Sequence, residues 1–398
     1  MTFAPVTTPT SDADLFSDEN LNDPFPLFAR LRTLGPAVWM RKHNAWAVAG
    51  YDDIKAVLAD HDLFSSFPNP ALEPQRPEIP QGGPLGSDPP DHTRLRAILS
   101  EKLAPRALRT LRQDIERQAD NLIAEVVERS EVEVVSQVAQ EFPIRVVTRL
   151  VGLPDGDYRQ LLILADAAFN SFGPANERTL ASLPAVPGVW KYIAQSMSRE
   201  SIAPDSWGAA VYDAVDRGDV TEEEAIHLLS SYLIPSMDTT INAIGSAIGL
   251  LAEYPDVWAA VRRDPQLVKP ALEETLRFES PVMFFARGAT RDTTIGSQPI
   301  RAGDRVVTLM PSGNRDERHF HDPDSFDISR TTIDHLAFGH GIHSCVGQGL
   351  ARMEGQAILK AWARHVRNME IVGKPERRLN NTIRGLSRLQ LQVVADRG

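Results

Sequence analysis

Cysteine is all but missing from this chain: Cys345 is the only one in 398 residues, so no disulfide can close within it. A basic excess is missing too. The 53 acidic residues outnumber the 42 lysines and arginines, and a net charge of −11 argues against nucleic acid as a partner. Charges interrupt every apolar stretch, so no transmembrane helix is expected. Residues 1–26 are polar and rich in Asp, Thr and Pro, without the basic start and apolar run of a signal peptide. A cytoplasmic protein is expected. Repeats and linkers are absent as well, so one unit over residues 1–398 is expected, with residues 1–25 a weakly ordered tail, although the length allows two or three average domains.

What is present reads mostly as helix. Apolar spacing predicts helices over Pro24–Leu34, Tyr51–Leu58, Thr93–Leu103, Arg106–Val127, Val135–Val151, Gly156–Phe169, Val189–Arg199, Ser206–Asp216 and Pro265–Phe278. Ala37–Val48 reads as a hairpin, and Thr293–Ile295, Arg305–Leu309 and Arg388–Val394 as extended pieces. The expected class is α+β, mainly α. Pro68–Pro90 is too proline-rich for regular structure; it is either a surface excursion or a cover for a site.

Two stretches break the background. The first is Phe338-Gly339-His340-Gly341-Ile342-His343-Ser344-Cys345-Val346-Gly347. A lone cysteine is ordinarily a small buried apolar side chain. Here two glycines allow a tight turn, and a helical pattern from Val346 onward puts Cys345 at a helix start, where free amides and the dipole favour a thiolate able to ligate a metal. The second lies in the longest predicted helix, Thr221 to about Ala252, opened by a Thr221/Glu224 capping box. Its middle, Pro235-Ser236-Met237-Asp238-Thr239-Thr240, places a proline and an acid where apolar residues are expected. Pro235 takes one amide from the helix, so a kink or widening is predicted. It is either a tolerated kink with Asp238 at the surface, or room for a polar ligand or water.

The ten-residue pattern Phe-Gly-x-Gly-x-His-x-Cys-x-Gly resembles the haem-binding loop of the cytochrome P450 family. The resemblance implies that Cys345 is the axial thiolate of haem b, an arrangement that favours O–O cleavage, with Phe338, His343 and Gly347 in the same loop. It further implies that Asp238-Thr239 is the acid–alcohol pair relaying protons to bound dioxygen, although Pro235 and Ser236 stand where most members carry a small residue and glycine. Glu274 and Arg277, three apart on one helix, resemble the family's Glu-x-x-Arg and would pair with Arg330; by themselves they read as an ordinary exposed salt bridge. His92, Arg96, Arg287 and His343 match its propionate-binding rim, where bidentate arginine suits carboxylates. Each taken singly reads as a solvated charge.

The resemblance also puts Phe169, Phe172, Ser231, Val282, Phe284, Phe285 and Leu386 above the haem, an apolar, aromatic-lined pocket if they are not simply core. Phe169–Pro174 and the Pro235-Ser236 variant look like the subgroup that oxidises para-substituted benzoates, including methoxybenzoate demethylation. That subgroup has a carboxylate-binding arginine where this chain has Phe67. A neutral small aromatic substrate is therefore expected, with Arg76 the alternative cation. The implied activity is that of a soluble, monomeric bacterial monooxygenase that inserts one atom of O2, by O-demethylation or hydroxylation. A [2Fe–2S] ferredoxin with an NAD(P)H-dependent reductase would supply electrons, docking near Arg109, Arg112 and Arg352. The alternatives are a haem-thiolate peroxygenase using H2O2, a haem-binding sensor and, more remotely, a hydrolase with Cys345 as nucleophile.

Overall fold

The computed structural model describes residues 8–75, 81–154, 156, 158–332 and 334–396. The N-terminal part is built on strands β1 (Thr10–Ser11), β2 (Val38–Met40), β3 (Ala45–Val48) and β4 (Phe64–Ser65) and helices α1 (Asp18–Asn22), α2 (Phe25–Leu34) and α3 (Tyr51–Ala59). The expected hairpin is present, with Trp39 opposite Trp46 in antiparallel register. The expectation of a weakly ordered tail is corrected for residues 8–25, where β1 pairs with β2 and Ser17 caps α1 by accepting from the Asn20 amide at 3.3 Å; residues 1–7 lie outside the described residues.

Helices then dominate: α4 (Asp91–Leu103), α5 (Pro105–Val126), α6 (Glu141–Val151), α7 (Arg159–Ser171), α8 (Glu177–Ser182), α9 (Val186–Ser196), α10 (Trp207–Asp216), α11 (Glu222–Glu253), α12 (Pro255–Arg263) and α13 (Val268–Phe278). The predicted Val135–Val151 helix is two pieces, a wide π turn over Val135–Ala139 followed by α6, with strand β5 (Glu131–Glu133) just before them. α11 is the axis of the molecule, packing against α6, α7, α10, α13 and the later α15 (Gln348–His365). Its capping box forms as predicted: the Glu224 amide donates to Thr221 Oγ1 and the Thr221 amide to Glu224 Oε2. α11 passes Pro235 unbroken.

Beyond α13 come β6 (Phe285–Ala289), β7 (Thr293–Ile295), β8 (Gln298–Ile300), β9 (Arg305–Thr308), the short α14 (Met310–Gly313), then, after α15, β10 (Val366–Ile371), β11 (Glu376–Arg377), β12 (Leu386–Arg388) and β13 (Gln390–Ala395). β6 and β10 escape the sequence pattern, because β6 carries Arg287 and Gly288 in its middle and β10 continues directly from a helix. The main sheet runs β1-β2-β3-β9-β6-β4, so strands from the two ends of the chain interleave. A second sheet runs β10-β13-β5. The Cys345 loop lies between α14 and α15 in the chain and packs against α3.

Candidate active site

Gly339 and Gly341 adopt φ of 68° and 71°, the left-handed region that glycine enters without strain. A β-carbon at Gly341 would also collide with the Leu58 carbonyl at the end of α3, so this glycine seats the loop. The Cys345 amide donates to Phe338 O at 2.8 Å, and the half-buried thiol sits one turn before α15, which begins at Gln348 rather than Val346. Burial pushes the thiol up. The Gly347 and Gln348 amides and the Arg96 and Arg352 guanidiniums pull the other way, so the helix start opposes the cost of burying charge without cancelling it.

Glu273 on α13 grips the loop from both sides. It accepts from Arg352 Nε at 2.7 Å on α15 and faces His335 Nε2 at 3.1 Å, just ahead of the loop. Burial alone would raise its carboxyl; these two partners hold it down at about 2. Arg352 is also stacked 4.3 Å over the Phe338 ring. This guanidinium, expected at a docking surface, is taken up in holding the loop.

The expected rim assembles. The His92 and His343 rings lie 4.3 Å apart, and Nε2 of each is buried without a hydrogen-bond partner. His343 Nε2 is 4.0 Å from Asp88 Oδ1, too far to hydrogen-bond. Burial, the neighbouring His343 and Arg96 bring the His92 imidazole down to about 4, so it is neutral near pH 7. Arg96 Nη2 donates to Ser344 O at 2.5 Å, beside the cysteine. Arg287 is 3% exposed, and among the described residues no carboxylate lies within ion-pair distance; burial lowers it to about 10. Sequence reasoning missed Arg305, half-buried beside Arg287 and lowered by desolvation to about 9, and Asp88, held at about 2 by the nearby His343 imidazole, the Ser65 hydroxyl and the Ser66 amide although burial opposes it. Unpartnered buried imidazole nitrogens and an uncompensated guanidinium are costly alone. Set around a thiol, they fit a group carrying carboxylates and a thiolate-binding metal, as haem does.

On α11, Asp238 is fully buried rather than at the surface. Its Oδ1 accepts from Arg378 Nη1 at 2.5 Å and Asn242 Nδ2 at 3.2 Å, and its Oδ2 from Arg378 Nη2 at 3.2 Å. Burial raises its carboxyl and Arg378 opposes that rise. The Thr239 hydroxyl donates to Pro235 O at 2.7 Å, and the Ser231 hydroxyl to His227 O at 2.7 Å. Arg378 carries no motif signal; only the fold brings it to Asp238.

Of the expected pocket residues, the structure joins Phe169, Phe172 and Phe285, with ring centroids 6.2 and 5.9 Å apart in edge-on contacts. Val282 packs with Phe285 on one core cluster. Phe284 is buried in another cluster, its ring 5.4 Å from Phe16. Leu386 is core as well, packed against Gly249 three turns along α11 from Thr239. Phe67 is 62% exposed and apart from the trio; Arg76 lies outside the described residues. The salt bridge expected to be exposed is wholly buried: Arg277 donates to Glu274 at 2.8 and 2.7 Å, and Arg330 Nε joins at 3.3 Å.

The cytochrome P450 family model matches residues 209–367. Cytochrome P450 CYP199A2 of Rhodopseudomonas palustris is 39% identical over 98% of both chains. Linalool 8-monooxygenase of Pseudomonas putida is 31% identical over 93% of this chain and 96% of its own. Among solved structures, cytochrome P450 CREJ in complex with (4-ethylphenyl) dihydrogen phosphate superposes with a TM-score of 0.87 at 27% identity, covering 94% of this chain and 98% of that one. Among the described residues no helix is long and apolar enough to cross a membrane. A thiol in a glycine-seated loop, a cationic rim and full-length relatives converge: the chain belongs to the cytochrome P450 family, the haem b monooxygenases whose iron is bound by a cysteine thiolate.

Proposed function

We propose that this enzyme oxidises a small, neutral aromatic substrate, such as a methoxyphenol or alkyl-methoxybenzene, in the cytoplasm with electrons from an acidic [2Fe–2S] ferredoxin. The observation that carries the substrate class is the Phe169–Phe172–Phe285 cluster: three rings in edge contact, over which no guanidinium or ammonium lies among the described residues. A substrate carboxylate beside them would be left uncompensated.

Cys345 would ligate the iron, with His92, Arg96, Arg287 and His343 facing the propionates and Phe338 and Gly347 lining the loop. Haem, when bound, supplies the reductive activation of dioxygen and the transfer of one oxygen atom to a C–H bond. The chain's own contribution is placement and protons. The aromatic cluster would exclude water and orient the substrate, with Val282 beside Phe285 and Ser231 of α11 as further lining residues. Thr239 Oγ1 positions a proton whose replacement arrives through Asp238. On an aryl methyl ether the product is a hemiacetal that collapses to a phenol and formaldehyde. Glu274, Arg277 and Arg330 hold the fold. Arg109 and Arg112 are exposed on α5 and suit an acidic donor.

Titrating the ferric enzyme with paired neutral methoxyarenes and para-substituted benzoates, followed by the spin-state change, tests the substrate class. Neutral members should bind at least tenfold more tightly; preference for the acids would overturn this part. Turnover should require reductant and ferredoxin, and product from peroxide alone at the same rate would favour a peroxygenase.

A further inference from the structure

We propose that Arg378 is a positioning residue that ties the placement of α7 to the availability of Asp238. The inference rests on Asp238 being the relay acid, and extends it to how that acid is governed. All three guanidinium nitrogens are engaged, and by two carboxylates on different helices. Nη1 and Nη2 donate to Asp238 on α11, at 2.5 and 3.2 Å. Nε and Nη2 donate to Asp166 Oδ1 on α7, at 3.1 and 2.5 Å. Asp238 is fully buried, whereas the Asp166 side chain is 38% exposed.

Both sides of this bridge are anchored through the segment that carries Arg378. Toward α11 the segment is fixed: the Arg378 amide donates to Gly385 O at 3.1 Å, and Gly385 lies so close to Asn242 that a β-carbon there would collide with its side chain. Toward α7 it is held mainly by hydrogen bonds, and Gly173 just beyond the helix lies so close to Asn381 that a β-carbon there would meet its side chain. Asn380 Nδ2 donates to Asp166 Oδ1 at 3.0 Å, and the Asn381 amide to Asn170 Oδ1 at 3.0 Å. Asp166 is one turn from Phe169 of the aromatic cluster. A substrate that seats or displaces those rings acts on Asp166, and through it on Arg378.

With α7 in place the guanidinium is divided between two carboxylates. When α7 withdraws, Arg378 is left to Asp238, and the acid is withheld from any proton donor. The device would couple proton delivery to an occupied pocket.

The haem-loaded full chain with its electron donor tests this. Asp166→Asn keeps the shape of α7 but removes the competing charge, so turnover at saturating substrate should fall at least about fivefold, the lower end of a typical coupling. The solvent isotope effect should rise with it, while the substrate Kd stays within twofold. Asp238→Asn should be slower still, and the double variant no slower than Asp238→Asn alone. Because coupling is reciprocal, amide hydrogen exchange over residues 159–171 should slow in Asp238→Asn, whose Arg378 is left to Asp166. That arm needs no turnover and decides the matter even where Asp166→Asn does not load haem. Normal turnover and isotope effect in Asp166→Asn beside a slow Asp238→Asn overturn the inference and leave the relay standing. Unchanged exchange over 159–171 overturns it equally. Asp238→Asn at the wild-type rate overturns the relay, and the inference with it.

Discussion

Glu274 and Arg277 are both fully buried, so removing one strands the charge of the other. Glu274→Ala should cost about 3–5 kcal/mol, seen as a large drop in the thermal unfolding midpoint. Thr239→Ala leaves the fold intact because it deletes one hydroxyl bonded to its own helix. Oxygen uptake should persist while product falls about tenfold or more, the balance appearing as hydrogen peroxide. Cys345→Ala should abolish the reduced-CO band of haem thiolate; an unchanged band would sink the central assignment. Cys345 stands out in the sequence by its glycine-lined turn, whereas Glu274 and the rim are picked out only by their match to family motifs, since singly each reads as a solvated charge. Arg378, Asp88 and Arg305 are not legible there, since their partners lie far away in the chain and any arginine or aspartate reads alike until folded.

Elements were legible in proportion to their length and periodicity. α11 carries over eight turns of apolar pattern and a capping box, and its ends fall within a residue of expectation. β6 and the π turn before α6 have no such pattern, and tertiary pairing decides them. The loop between α14 and α15 depends on Glu273 of α13 for its bracket. Glu273 has its carboxyl held at about 2, below its ordinary 4.5, so its contribution is fully present above about pH 4.5 and is lost as pH falls from there towards 2. Unfolding temperature should drop over that window, and Glu273→Gln should lower the neutral-pH value and flatten the acid limb. Gly341→Ala, strained at φ 71° and blocked by Leu58, should fold with reduced haem content, read from absorbance per polypeptide.

The whole molecule carries a net charge of −11, so the proposed acidic donor would need a local cationic face. Arg109→Glu with Arg112→Glu should raise the KM for ferredoxin about tenfold with kcat unchanged, and salt should weaken the wild-type interaction but not the variant's. At this scale the central sheet has a consequence for biosynthesis. Trp46 of β3 pairs in parallel with Val306 of β9. The β2–β3 hairpin therefore leaves the ribosome long before its neighbour exists, presenting an unpaired apolar edge for most of translation. The seat for the Cys345 loop cannot settle until that edge is filled, so haem capture belongs to the late, nearly assembled chain. Chaperone supply during synthesis should then raise the yield of active enzyme.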